Sequence, residues 1–253
     1  SSRIHLAEDR AFYYRSQVYS AFEPDNARLA LAFQREVINN VIPRVQPELI
    51  HCNDWMTGLV PAMARRLNIP CLFTIHNIHS RNLTLAEIED AGIDAAEFWR
   101  NLYYRLPPAS YEETRFTNGV DQLVSGIFAA HYVNTVSPTF LTEIVNDQHS
   151  FVPANVRQEL EQKKNAGCAT GILNAPDPAY KPQIDLLITR NYGSRDHAEG
   201  KLTNKRELQR QLGLEQIDSA PLLFWPLRLD PIQKACSLLT DILYPVIYTY
   251  WNE

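Results

Sequence analysis

Glu48-Leu49-Ile50-His51-Cys52, followed by the stretch Thr57 to Asn68 and then by Pro70-Cys71-Leu72-Phe73-Thr74-Ile75-His76, decides the fold. The two outer runs are short, apolar and bounded by turn residues, and both read as buried strands. In the middle run Val60, Met63, Ala64 and Leu67 share one helical face, while Arg65 and Arg66 fall away from it. That is the pattern of a crossover helix packed on a sheet, with Thr57 expected as its cap. Strand, helix, strand in this order predicts a parallel pair with a right-handed crossover.

Working outward, residues 25–45 carry apolar positions at near-helical spacing, with Asp25 as the expected N-cap and Pro43 as the expected stop. Residues 130–136 read as a third strand, and Ser137-Pro138 caps and opens a helix over 139–145. Between the second and third strands, residues 79–118 read as an insertion over the rim of the sheet, with a helical run at 84–104 and a break at Pro107-Pro108. After Cys168, Gly171-Ile172-Leu173-Asn174-Ala175-Pro176-Asp177-Pro178 leads into about twenty irregular polar residues, which suits a hinge. A helix is expected at 201–212, ended by Gly213 in the left-handed conformation. A strand follows at 221–225 and a helix at 235–250. The fold class is therefore α/β: a Rossmann-like parallel-sheet domain at 1–170, a linker at 171–199, and the start of a second Rossmann-like domain at 200–253. One strand and one helix do not close a core, so that second domain is expected to be completed by residues outside this sequence.

Composition narrows the function classes. With 45% hydrophobic and 21% charged residues, the 253-residue chain has the make-up of a folded, water-soluble protein. A formal charge of -5 argues against a phosphate backbone as the main partner. No window approaches a membrane span, and residues 1–10 are polar where a secretory signal is apolar, so a cytoplasmic protein is expected. Cys52, Cys71, Cys168 and Cys236 are too scattered for a zinc site and read as buried thiols; no metal is expected. Nine glycines are about half the usual share and none forms a Gly-x-Gly, so any nucleotide-cradling glycine loop lies elsewhere.

Ligands of parallel α/β sheets sit outside the carboxyl ends of the strands, which directs attention to three stretches. They are His51-Cys52-Asn53-Asp54-Trp55-Met56-Thr57-Gly58, Thr74-Ile75-His76-Asn77-Ile78-His79 and Thr135-Val136-Ser137-Pro138-Thr139. An Asp beside a Trp offers hydroxyl acceptors next to an apolar face for a sugar ring, although Asp54 serves equally as a plain helix cap. His76 and Asn77 can donate to a sugar or diphosphate, or can satisfy buried backbone groups.

In sequence and order these three stretches resemble those of the glycogen and starch synthases. Asp25-Asn26-x-Arg28 with Phe33, Gly171-Ile172-Leu173-Asn174, Gly200-Lys201-x-x-Asn204-Lys205 and Arg228-Leu229-Asp230-Pro231-Ile232-Gln233-Lys234 are similar to further motifs of that family. The resemblance implies the two-domain GT-B architecture and a retaining transfer of glucose from ADP-glucose or UDP-glucose to an α-1,4-glucan, with no other cofactor. It implies that Arg228 and Lys234 hold the diphosphate and act with His76 in catalysis, and that Asp54, Trp55 and Asn77 bind substrate. Several positions depart from the family pattern: Asn53 and Met56 stand where it has histidines, Ala175 and Ala235 where it has glycines, and Leu227 where it has serine. The family's lysine-glycine loop and its acidic loop fall before and after these residues, so the chain alone is expected to be inactive. Two rivals follow from the departures: a glucan-binding or regulatory module that has lost turnover, and another GT-B transferase such as one making sucrose or trehalose.

Overall fold

The computed structural model describes residues 3–13, 15, 19–20, 22–225 and 236–250. The chain divides into two compact units, Ser1–Ala175 and Pro176–Glu253. In chain order the first unit carries α1 (Glu23–Glu36), which continues through a π turn (Val37–Val41) into α2 (Ile42–Val45), then β1 (Ile50–Asn53), α3 (Val60–Arg66) and β2 (Cys71–Ile75). There follow β3 (Asn82–Leu83), α4 (Leu85–Asp90), α5 (Tyr111–Thr114), β4 (Val120–Asp121), α6 (Gln122–Ala129), β5 (Tyr132–Thr135), α7 (Pro138–Val145), α8 (Ala154–Asn165) and β6 (Ala169–Gly171). The four main strands pair in the order β1-β2-β5-β6, all parallel, while β3 and β4 form a separate antiparallel pair.

The strand-helix-strand run is present as β1, α3 and β2, with Ile50 opposite Cys71 and Asn53 opposite Thr74. One face of the sheet carries Cys52, Cys71, Phe73, Ile75 and Val133, all buried in the main core. Removing side chains such as Phe73, Ile75 and Val133 from water stabilises by roughly 1.5–3 kcal/mol each. The Cys52 and Cys71 sulfurs lie 3.9 Å apart, and the contact with Cys71, together with burial, pushes the Cys52 thiol up, away from reactive thiolate. Cys168 and Cys236, also expected to be buried, are only half-buried. The other face is polar. His51 Nε2 lies 2.7 Å from Thr74 Oγ1, and the Thr74 hydroxyl donates to Asn134 Oδ1 at 2.6 Å, so the ring nitrogen donates to the threonine. This ladder crosses β1, β2 and β5 below the strand ends.

Three local expectations are corrected. The first helix begins at Glu23 rather than Asp25, and it passes Pro43. Proline lacks a donor and is tolerated in the first turn of a helix; the π turn, closed by the Ile42 N–H on the Val37 carbonyl, leaves Pro43 in the first turn of α2. The helical run at 84–104 ends at Asp90, after a Thr84–Glu87 capping box, because the chain turns at Gly92 with φ of 86°. Thr57 caps no helix; its hydroxyl bonds back to the Asn53 backbone. Helix α6 went unpredicted. Its C-terminal carbonyls are closed by two cations, Arg65 Nε on Ala129 O at 2.8 Å and Lys163 Nζ on Ala130 O at 2.5 Å.

The second unit contains α9 (His197–Gln211) and α10 (Cys236–Tyr250). Helix α9 ends as the sequence predicts: Gly213 has φ of 67°, and the Leu214 N–H returns to the Gln209 carbonyl at 2.8 Å. Asn204 grips the Arg190 backbone at both its N–H and its carbonyl, and Lys205 donates to the Asp218 and Ala220 carbonyls. The strand expected at 221–225 is absent: these residues join no ladder, and Leu223 and Phe224 are exposed. A strand needs a neighbour to bond, and the described residues of this unit supply none. Arg228 and Lys234 lie outside the described residues.

Candidate functional site

The carboxyl ends of β1 and β2 meet at Asn53, Asp54, His76 and Asn77. Asp54 leaves the strand with φ of 57° and ψ of 177°, a region that costs a non-glycine residue of order 1–3 kcal/mol. Several bonds hold it there. Its N–H donates to the Thr74 carbonyl at 3.0 Å. Its Oδ1 accepts the His76 backbone N–H at 2.7 Å and that of Asn77 at 3.4 Å, and its Oδ2 accepts Asn77 Nδ2 at 3.4 Å. The Asp54 carboxylate is thus a clamp between two strand ends, and not a helix cap.

His76 is exposed and Asn77 half-buried. Asn77 Oδ1 accepts the His79 N–H at 2.9 Å, which turns the chain away from the strand. His76 Nε2 lies 3.0 Å from Asn53 Oδ1. The result is a rim of imidazole, amide and carboxylate groups at the strand ends, able to pair with the hydroxyls of a polyol or the oxygens of an anion.

Trp55 behaves differently from the expectation. It is only 4% exposed, sits in the main core, and meets the His79 ring edge-on at 5.5 Å. Its indole is covered by the protein itself, so the apolar face expected for a sugar is not presented. Trp55 is the buried residue of the short turn Trp55–Thr57 that follows Asp54.

Among the other motif residues, Gly58, Ser137, Gly171 and Asn26 hold the local fold. A Cβ on Gly58 would stand 1.9 Å from the Gln122 carbonyl oxygen, so only glycine lets this turn lie against the start of α6. Beside it, Gln34 Oε1 accepts the Leu59 N–H at 2.8 Å and its Nε2 donates to Gln122 Oε1 at 3.1 Å, both glutamines being fully buried. Ser137 Oγ caps α7 at the Phe140 N–H, and a Cβ on Gly171 would stand 2.2 Å from Pro138 N. Asn26 holds Ser20 by its backbone N–H and carbonyl. Thr139 lines a surface hollow of about 400 Å³ with Pro138, Thr142, Glu143 and Gln148. Among the described residues no group of three or more His, Cys, Asp or Glu could hold a metal ion, and no helix is long and apolar enough to cross a membrane.

A parallel sheet wound this way, with its polar rim at the strand ends, defines a Rossmann-like α/β domain of the GT-B class. A family model for the starch synthase catalytic domain matches residues 1–158, and the chain belongs to that family. It is 32% identical over 253 residues to the glycogen synthase of Syntrophotalea carbinolica, covering 93% of this chain and 48% of that protein. To glycogen synthase 2 of Geobacter metallireducens it is 30% identical over 255 residues, covering 95% and 49%. The chain spans about half the length of the curated relatives it matches. Among solved structures it is similar to the catalytic domain of starch synthase IV from Arabidopsis thaliana bound to ADP and acarbose. The TM-score is 0.69 and the identity 25%, over 94% of this chain and 47% of that one.

Proposed function

We propose that this chain is part of a retaining glucosyltransferase that moves glucose from a nucleoside diphosphate glucose to the 4-hydroxyl at the non-reducing end of an α-glucan. The observation that carries the reading is the clamp of Asp54 on His76 and Asn77, standing at the strand ends of a chain that belongs to the starch synthase catalytic domain family. The ADP bound to the Arabidopsis relative supports a nucleotide donor, and its acarbose a glucan acceptor. ADP-glucose and UDP-glucose are both admitted as donors, without a further cofactor or metal, in the cytoplasm.

In the reaction the bond between the anomeric carbon and the diphosphate breaks. Negative charge grows on the leaving oxygens and positive charge on the sugar, so fixed cations at the phosphates lower the barrier. This role falls to Arg228 and Lys234: the guanidinium is a planar fork that suits two phosphate oxygens, and the ammonium is a point charge. His76 faces the sugar from the strand ends, with Asn77 beside it. Asp54 keeps both in place: its Oδ1 accepts the His76 and Asn77 backbone N–H groups and its Oδ2 the Asn77 side-chain amide, so it acts through them.

The test is transfer of radiolabelled glucose to glycogen by the complete gene product. Incorporation from ADP-glucose or UDP-glucose, with an α-linked product, is expected; none from either donor refutes the reading. The family departures at Asn53 and Met56 favour, as a second reading, a glucan-binding module without turnover, which retention on amylose without transfer would reveal.

A further inference from the structure

We infer that Asn53 is a positioning residue for His76: it fixes which ring nitrogen carries the proton and which faces the substrate. The inference deepens the transferase reading and rests on it. Asn53 is the last residue of β1, and Thr57 holds its backbone from both sides, accepting its N–H at 2.9 Å and donating to its carbonyl at 2.8 Å. From this anchored position its Oδ1 lies 3.0 Å from His76 Nε2. An amide oxygen only accepts, so Nε2 is the nitrogen that donates. The backbone of His76 is pinned independently by Asp54. Ring and backbone are therefore both restrained, although the side chain is exposed and free in principle to turn.

The consequence is chemical. With Nε2 engaged, the neutral ring presents Nδ1, which has no partner among the described residues and is an acceptor. An acceptor at this point pairs with a hydroxyl that donates, as on a sugar ring, and not with an unprotonated phosphate oxygen, which has no proton to give. Asn53 thus selects a sugar hydroxyl over the diphosphate as the partner of His76.

The experiment reads the ring directly. In the ¹⁵N-histidine-labelled chain at pH 9, with His76 assigned by its loss in His76→Gln, long-range ¹⁵N–¹H spectra are expected to show Nε2 protonated and Nδ1 bare. Asn53→Leu, which keeps the size and removes the acceptor, draws the two ¹⁵N shifts together as tautomers mix; Asn53→Asp, which keeps an acceptor, leaves them apart. In the complete gene product Asn53→Leu lowers kcat/KM about 10-fold, the scale of a misplaced substrate contact, and Asn53→Asp recovers most of it. A bare Nε2 in the wild type, or His76 shifts unmoved in Asn53→Leu, overturns the contact. An intact signature with undiminished transfer by Asn53→Leu overturns the positioning role alone. A wild type that transfers no glucose sinks the transferase reading, and with it that role, whatever the ring shows.

Discussion

Asp54 Oδ1 accepts the backbone N–H of His76 at 2.7 Å, across the gap between the first two strands of the sheet. This bond explains why an aspartate stands at a position whose backbone angles favour glycine. Replacing Asp54 by Ala leaves the strain and removes the clamp. The expected result is a loss of about 2 kcal/mol in urea unfolding, typical of a hydrogen bond to a charged group. Asp54→Asn, which retains an acceptor, is expected to lose less than half as much. Equal losses in the two variants would show that the carboxylate does not hold the loop.

Gly58→Ala is expected to be the more damaging change, although it adds one methyl group. The new carbon meets a backbone oxygen, which cannot rotate aside as a flexible side chain can. A cost of about 3 kcal/mol, at the upper end for overpacking, is expected from the shift in thermal unfolding. Stability within 0.5 kcal/mol of the wild type, the range of a neutral surface change, would contradict the close approach of this turn to α6.

Much of the first unit was legible because its signals were local. The runs that form β1, β2 and β5 are short, apolar and bounded by turn residues, and Ser137-Pro138 announces α7. Helix α6 was not legible: all its residues but Phe128 are buried, so it lacks the polar stripe that gives a helix its period. Strand β6, Ala169–Gly171, is three residues with no apolar run and exists through its pairing with β5. At the site, the sequence singled out Asp54, His76 and Asn77, which the structure brings together. It could not tell whether Trp55 turned out or in, since a tight turn serves either. Asn53 was noted only as a departure from a motif; its signal, a strand-end amide one residue before the aspartate, acquires meaning once β1 and β2 are in register.

An acid titration tests the second unit. Glu207 accepts from Arg210 and Gln211 on α9, and the Arg210 guanidinium holds its carboxyl down at about 2. A depressed carboxyl stabilises the fold above its ordinary value of 4.5, and that contribution is lost as pH falls from there through about 2. Side-chain ¹³C NMR of Glu207 is expected to show this low midpoint, and Arg210→Ala to return it toward 4.5. A wild-type midpoint already at the ordinary value would remove the ion pair from the account.

The most direct measurement of the central claim is glucose transfer by the complete gene product carrying His76→Ala, with folding checked by circular dichroism. If the strand-end rim holds the donor sugar, the rate falls at least ~100-fold with the fold intact, the usual size of a lost transition-state partner. A variant that folds and transfers glucose at the wild-type rate would place the chemistry elsewhere.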